Sequence, residues 1–191
     1  MGIVAETLVL RRHRLDVERY HRMAETGVIA PDARVELIDG EVIDMAPIGV
    51  RHWAAVNRLN HLLARVVGDA AIVSVLASIR LDGWNEPEPD IALVRPRPDF
   101  YSTALPTPAD VLLLIEVADT TLRYDREIKR PLYARHGIAE LWIVDLEGGL
   151  LHRGRRPQDG RYLEEITEAV PGVVPGGALA GVCVDLGALF D

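Results

Sequence analysis

The run Val111-Leu112-Leu113-Leu114-Ile115 is greasy enough to lie inside a β-sheet, yet it ends on Glu116 before Val117 resumes the apolar pattern. That single carboxylate constrains the fold more than any other residue. An ionised carboxylate alone in an apolar interior costs several kcal/mol, or its pKa shifts until it is neutral. The chain must therefore bring something to Glu116. Thirteen residues later Lys129 stands among helix-like apolar positions, on an element that follows the strand directly.

The rest of the chain alternates helical and strand patterns. Leu15 to Thr26 predicts a helix stopped at Gly27. RVELIDGEVIDM predicts a β-hairpin turning at Asp39-Gly40. From Val50 to Val67, the stripe Val56, Leu59, Leu63 and Val66 predicts a helix ended by Gly68. AIVSVLASIRL reads as a strand, residues 82–89 as a loop, and Ile91 to Val94 as a short strand. The proline-broken segment 95–110 is an excursion rather than a core element. After the strand at 111–117 comes a helix from about Asp125, its N-cap, to His136, with Gly137 as the stop. Pro131 inside it predicts a kink or a tertiary constraint. AELWIVD is a strand, Gly148-Gly149 turns the chain into LLHRGR, and RYLEEIT pairs with that. The glycine-rich tail closes with a short helix. This order indicates an α/β (α+β) fold with a mixed sheet flanked by helices.

The 191 residues, 49% hydrophobic and 26% charged, suit one domain with a real core. The expected division is a single domain over 1–191, with an N-terminal helical segment at 1–30 and a C-terminal hairpin and tail at 146–191. No apolar run approaches the ~20 residues that span a bilayer, and the N-terminus lacks the order of a secretory signal. One cysteine, Cys183, excludes an internal disulfide and a multi-thiolate zinc site. These features predict a cytoplasmic protein with no membrane segment. The net charge of −8 argues against wholesale nucleic-acid binding. Two basic islands, Arg123 to Arg135 and Arg153 to Arg161, either steer a phosphate backbone locally or form a solvated face.

Three acids interrupt strand patterns: Glu36 between Val35 and Leu37, Asp90 before Ile91, and Glu116. Converging carboxylates repel one another unless a cation lies between them, and Mg²⁺ or Mn²⁺ suits such oxygen donors. Lys129 shares a helix face with Asp125, Ile128 and Leu132, so its ammonium can reach the strand end. Each residue also has a plainer reading: Glu36 paired with Arg34, Asp90 at a strand boundary, Lys129 paired with Asp125 at i,i+4. His52 reads as a satisfied core or cap histidine, Asp119 and Asp125 as loop and cap residues, Tyr133 and Trp142 as core.

Jointly these pieces form a more specific pattern. VELIDGEVIDM with His52 and its helix, EPDIALV, LLLIEVADTTLRYDREIKRPLYARHGI and AELWIVDL resemble the PD-(D/E)XK, restriction-endonuclease-like superfamily over residues 34–145. Within it they resemble the Uma-type family, widespread in bacteria and long catalogued as a domain of unknown function. The resemblance implies a restriction-endonuclease-like core with added β-hairpins and a Mg²⁺-dependent endonuclease acting on nucleic acid, most readily DNA. Pro89-Asp90 would be the PD, Glu116 the second acid, and Glu36 the acid from the N-terminal part of the site. Asp90, Glu116 and the backbone carbonyl of Val117 would hold the metal, with His52 and Asp119 behind them. The superfamily's lysine two residues after the second acid falls on Ala118; the Uma-type pattern transfers that role to Lys129. Superfamily nucleases that cut both strands pair up, which implies a homodimer. Two other classes stay open: a catalytically silent domain of this fold used for binding protein or nucleic acid, and a hydrolase of smaller phosphate esters.

Overall fold

The computed structural model describes residues 12–169, 172–175 and 183–189. Asp16 starts the first helix by accepting the Arg19 amide at 2.9 Å, and α1 runs Val17–Glu25. The hairpin follows as β1 (Val35–Ile38) and β2 (Glu41–Asp44). Its two-residue turn places both Asp39 (φ 51°) and Gly40 (φ 74°) in the left-handed region, the backbone that Asp-Gly supplies at low cost. Gly40 is also tightly covered: a Cβ there would lie 2.8 Å from the Cβ of Arg14.

Helix α2 (Val50–Val67) buries Ala55, Val56, Leu59, Leu63 and Val67. The expected stripe is right except at its last member: Val66 is 41% exposed and Val67 takes the inner position. At about 100° per residue, Val67 continues the Val56–Leu59–Leu63 face at i+4, whereas Val66 falls to its side. Each such buried leucine contributes about 1.5–3 kcal/mol over an exposed one.

The central sheet then accumulates β3 (Ile72–Val75), β4 (Ile91–Val94), β5 (Val111–Ala118), β6 (Glu140–Asp145), β7 (Leu150–Gln158) and β8 (Arg161–Ala169) in that spatial order. Only β5 and β6 run parallel; every other neighbouring pair is antiparallel. The predicted strand from Ala71 to Leu81 shrinks to four residues. Leu76 takes up a positive φ of 47°, and beyond it Ile79, Arg80 and Leu81 hydrogen-bond to loop residues instead of a strand. The turn at Gly148-Gly149 and the β7–β8 hairpin form as expected, and they extend the central sheet.

Between β5 and β6 the chain crosses over through α3 (Leu122–Tyr124), a π-helical turn (Asp125–Lys129) and α4 (Arg130–Arg135). Asp125 is not the N-cap. The helix begins earlier, after Thr121, and Asp125 is buried within it, accepting the Thr121 hydroxyl at 2.7 Å. Pro131 explains the widened turn. It has no N–H to give, and its ring would meet the carbonyl four residues back. Just before it the Arg130 amide bonds five residues back, to the carbonyl of Asp125.

In the tail, the described residues form β9 (Val173–Pro175) paired with β10 (Cys183–Asp185) and a short helical turn at Gly187–Leu189. The rest of the glycine-rich stretch lies outside the described residues. The core has two layers, one on each face of the sheet. Leu113, Ile115 and Val117 of β5 pack toward α2, while Leu114 and Ala118 pack toward α4. Period-two alternation therefore directs Glu116 to the α4 side.

Candidate functional site

Strand register sets the first two acids opposite each other. Ile91 pairs with Ile115 across the antiparallel β4–β5 ladder, so the next rung outward sets Asp90 against Glu116, with side chains on one face. The Val117 amide donates to Asp90 Oδ2 at 2.7 Å, tying Asp90 to β5. His52, in the first turns of α2, brings Nε2 to 3.0 Å from Asp90 Oδ1. Its own pKa is raised, chiefly by that hydrogen bond, against the lowering effect of burial. The His52 Nδ1 atom is buried and has no partner among the described residues.

The hairpin supplies the third acid. Glu36, on β1, accepts the Glu88 amide at Oε2 (3.1 Å) and the Tyr124 hydroxyl at Oε1 (2.9 Å). Arg34, its expected partner, instead reaches Glu88 at 3.3 Å. From the helical side, Lys129 Nζ stands 3.2 Å from Glu116 Oε1 and 3.4 Å from Glu36 Oε2. It also points at the Glu88 carbonyl, 3.5 Å away. The Tyr133 hydroxyl donates to Glu116 Oε1 at 2.6 Å. Lys129 is the only lysine in the sequence; every other Lys/Arg position is arginine. Ala118, where the superfamily lysine was missing, packs into the core beside Leu114.

The electrostatics are those of a crowded, buried cluster. Burial pushes the Glu116 carboxyl well above the usual carboxylate range; Lys129 opposes this, and Asp125 and Asp90 add to it. Burial would lower the Lys129 ammonium, but Glu116, Glu36, Asp125 and Asp90 outweigh it and raise the pKa, so the amine stays protonated. Asp125 is pushed up to about 6, mainly by burial and against Lys129. Four carboxylates thus share one ammonium.

All four residues that the sequence singled out, Glu36, Asp90, Glu116 and Lys129, line one cavity of about 600 Å³, together with His52 and Asp119. Asp119 is held by Arg51, 3.2 Å away. Two neighbours of the acids were not flagged as part of this group. Tyr133 read as core, which it is at 0% exposure, but its hydroxyl end faces Glu116. Tyr124 lies five residues before Lys129, a spacing that no α-helical pattern would align.

The basic islands are largely consumed internally. Arg123 pairs with Glu127, Arg130 with Glu165, Arg135 with Asp39, Arg153 with Glu168, Arg155 with Glu140 and Arg156 with Glu164. Of the two readings of these islands, a patch that steers a phosphate backbone and a solvated face, the pairs favour the solvated, acid-paired face.

The family described as "Uma2: Putative restriction endonuclease" matches residues 17–186. The chain belongs to the Uma2 family. A crystal structure described as "a putative nuclease belonging to DUF820", from Anabaena variabilis, is similar with a TM-score of 0.65 and 18% identity, over 82% of this chain and 89% of that one. Among curated proteins none matches. The fold is thus restriction-endonuclease-like, and the Uma2 match spans both the hairpin carrying Glu36 and the β4–β5 rung carrying Asp90 and Glu116. Among the described residues, no helix is long and apolar enough to cross a membrane.

Proposed function

We propose that this Uma2 protein is a divalent-metal-dependent endonuclease that hydrolyses phosphodiester bonds in DNA, with Mg²⁺ or Mn²⁺ as its cation. The observation that carries the reading is the Asp90–Glu116 rung: two opposed carboxylates at a cavity wall, with a single ammonium to balance them and their neighbours. Among the described residues there is no ready cluster of three or more His, Cys, Asp or Glu to cage an ion. A two-carboxylate donor set nonetheless fits magnesium, which keeps several waters and takes phosphate oxygens as ligands. Asp90, Glu116 and the Val117 carbonyl would hold it. The chemistry such an ion supplies when bound is activation of water and neutralisation of charge on the phosphoryl oxygens.

The chain's own residues do the rest. Lys129, held between Glu36 and Glu116, donates hydrogen bonds, orienting the attacking water or steadying the charge that develops on the phosphoryl group. Glu36 and Glu116 hold that ammonium from two sides. His52 and the Val117 amide fix Asp90. Asp119, tied to Arg51, belongs to the wall of the cavity. The same reading has the protein act in the cytoplasm as a homodimer, and light scattering after gel filtration tests the mass.

Cleavage of plasmid, single-stranded DNA and RNA with Mg²⁺, with Mn²⁺ and with chelator is the direct test. Asp90→Ala and Glu116→Ala should abolish metal-dependent cleavage. Wild-type rates in both variants would discard the assignment.

A second reading is favoured by the internally paired arginines, which leave little cation to grip a phosphate backbone. In it the domain binds a partner and cuts nothing. Calorimetry with no heat of Mg²⁺ binding, alongside retarded DNA migration without cleavage, would select that reading.

A further inference from the structure

The π-helical turn decides which side chains face the acids. In an α-helix, at about 100° per residue, positions five apart turn through about 500° and end roughly 140° out of line. A turn closed five residues back instead sets residue i+5 above residue i. Tyr124 and Lys129 are separated in this way, with the turn at Asp125–Lys129 between them. Lys129 and Tyr133, four apart, align by ordinary α-helical spacing. The result is one face bearing a hydroxyl, an ammonium and a hydroxyl. Tyr133 holds Glu116, Tyr124 holds Glu36, and Lys129 lies between the two acids. The Lys129 nitrogen also sits 5.9 Å from the centre of the Tyr124 ring.

We propose that Tyr124 is a positioning residue for Lys129, acting through Glu36 and brought into line by the one-residue widening of the helix. The geometry gives it a specific task. With Oε1 of Glu36 occupied by the tyrosine hydroxyl, Oε2 is the oxygen left for the Glu88 amide and the ammonium. Without that hydroxyl only the Glu88 amide and the ammonium hold the carboxylate, both at one oxygen, and the acceptor of the ammonium is less firmly fixed. Only the consequence for catalysis rests on the nuclease reading; the effect on the amine does not.

Because the chain has one lysine, protein labelled with ¹⁵N-lysine gives a single side-chain ammonium signal that needs no assignment. In the wild type this signal should be visible at neutral pH, through slow hydrogen exchange. Tyr124→Phe keeps the ring and removes only the hydroxyl. It should speed that exchange roughly tenfold, the scale of one hydrogen bond to a charged group, with Tm lowered by no more than about 10 °C and the fold intact. Glu36→Gln should speed it at least as much, and the double variant no further than Glu36→Gln alone. In cleavage assays Tyr124→Phe should lower kcat and leave KM unchanged.

An unaltered amine signal in Tyr124→Phe would overturn the proposal. So would additive effects in the double variant, or a defect confined to KM and seen only in Tyr124→Ala, which would make the ring a substrate platform. If the wild type cleaves nothing, the nuclease reading fails and the amine measurement still judges Tyr124.

Discussion

On the β6–β7–β8 side of the sheet, Arg155, Arg153 and Arg156 face Glu140, Glu168 and Glu164 one to one. Around Lys129 a single ammonium is shared by Glu36 and Glu116 in direct contact and by Asp90 and Asp125 through their fields. The first region is closed electrostatically: each guanidinium has its carboxylate, and Glu140 is further satisfied by the Trp142 indole N–H at 2.7 Å. The second is left short of positive charge, buried, and open to a cavity. Pairs of the first kind hold strands together, whereas an incomplete pairing creates a demand that a ligand can meet.

Removing the shared ammonium should have the largest effect. Lys129→Met leaves two buried carboxylates facing each other and should cost about 3–5 kcal/mol in chemical denaturation at neutral pH, with cleavage lost. A loss comparable to that at the β7–β8 pairs would erase the contrast.

Asp125→Asn tests the crowding of acids by its pH dependence. The pKa of Asp125 rises from an ordinary 3.8 to about 6 on folding, so the native state binds the proton more tightly. Its contribution is full below pH 3.8, falls as pH rises through 6, and is constant above that. The asparagine variant should therefore gain stability relative to wild type between pH 4 and 7, by up to about 3 kcal/mol at 1.36 kcal/mol per pK unit. A difference independent of pH would refute the assignment.

Arg155→Ala strips buried Glu140 of its charge partner and should cost about 1–3 kcal/mol. Smallest of all, Arg156→Ala breaks an exposed pair with Glu164 and should change stability by about 0–1 kcal/mol, diminishing further in salt.

How much of this was legible in the sequence depends on the kind of signal. Glu116 and Asp90 announce themselves because carboxylates inside apolar strands violate a simple solvation rule, and the β4–β5 register then forces them together. The Asp39-Gly40 turn and the α2 face were equally plain. Strand Ile72–Val75 was overextended because β-branched composition does not reveal where hydrogen-bonding partners run out. The helical crossover misled most. Local capping chemistry named Asp125 as a start, while Pro131 and tertiary packing buried it inside a widened turn. That widening made Tyr124 invisible to any reading based on a period of 3.6. The basic islands stayed ambiguous for another reason: most of the opposing acids lie on other elements, which a linear count cannot pair.

The hairpin bearing Glu36 is a two-stranded sheet of its own, joined to the remainder of the chain by backbone hydrogen bonds at Leu37–Glu86, Gly40–Trp84 and Gly40–Leu15 and, among the described residues, paired with no strand of the six-stranded sheet. The acids of the six-stranded sheet and the acid of the hairpin thus belong to separately bonded modules, with the ammonium spanning the seam. A disturbance that unseats the small module could disarm the site and leave the large sheet folded, so loss of activity should precede loss of structure as the protein is warmed.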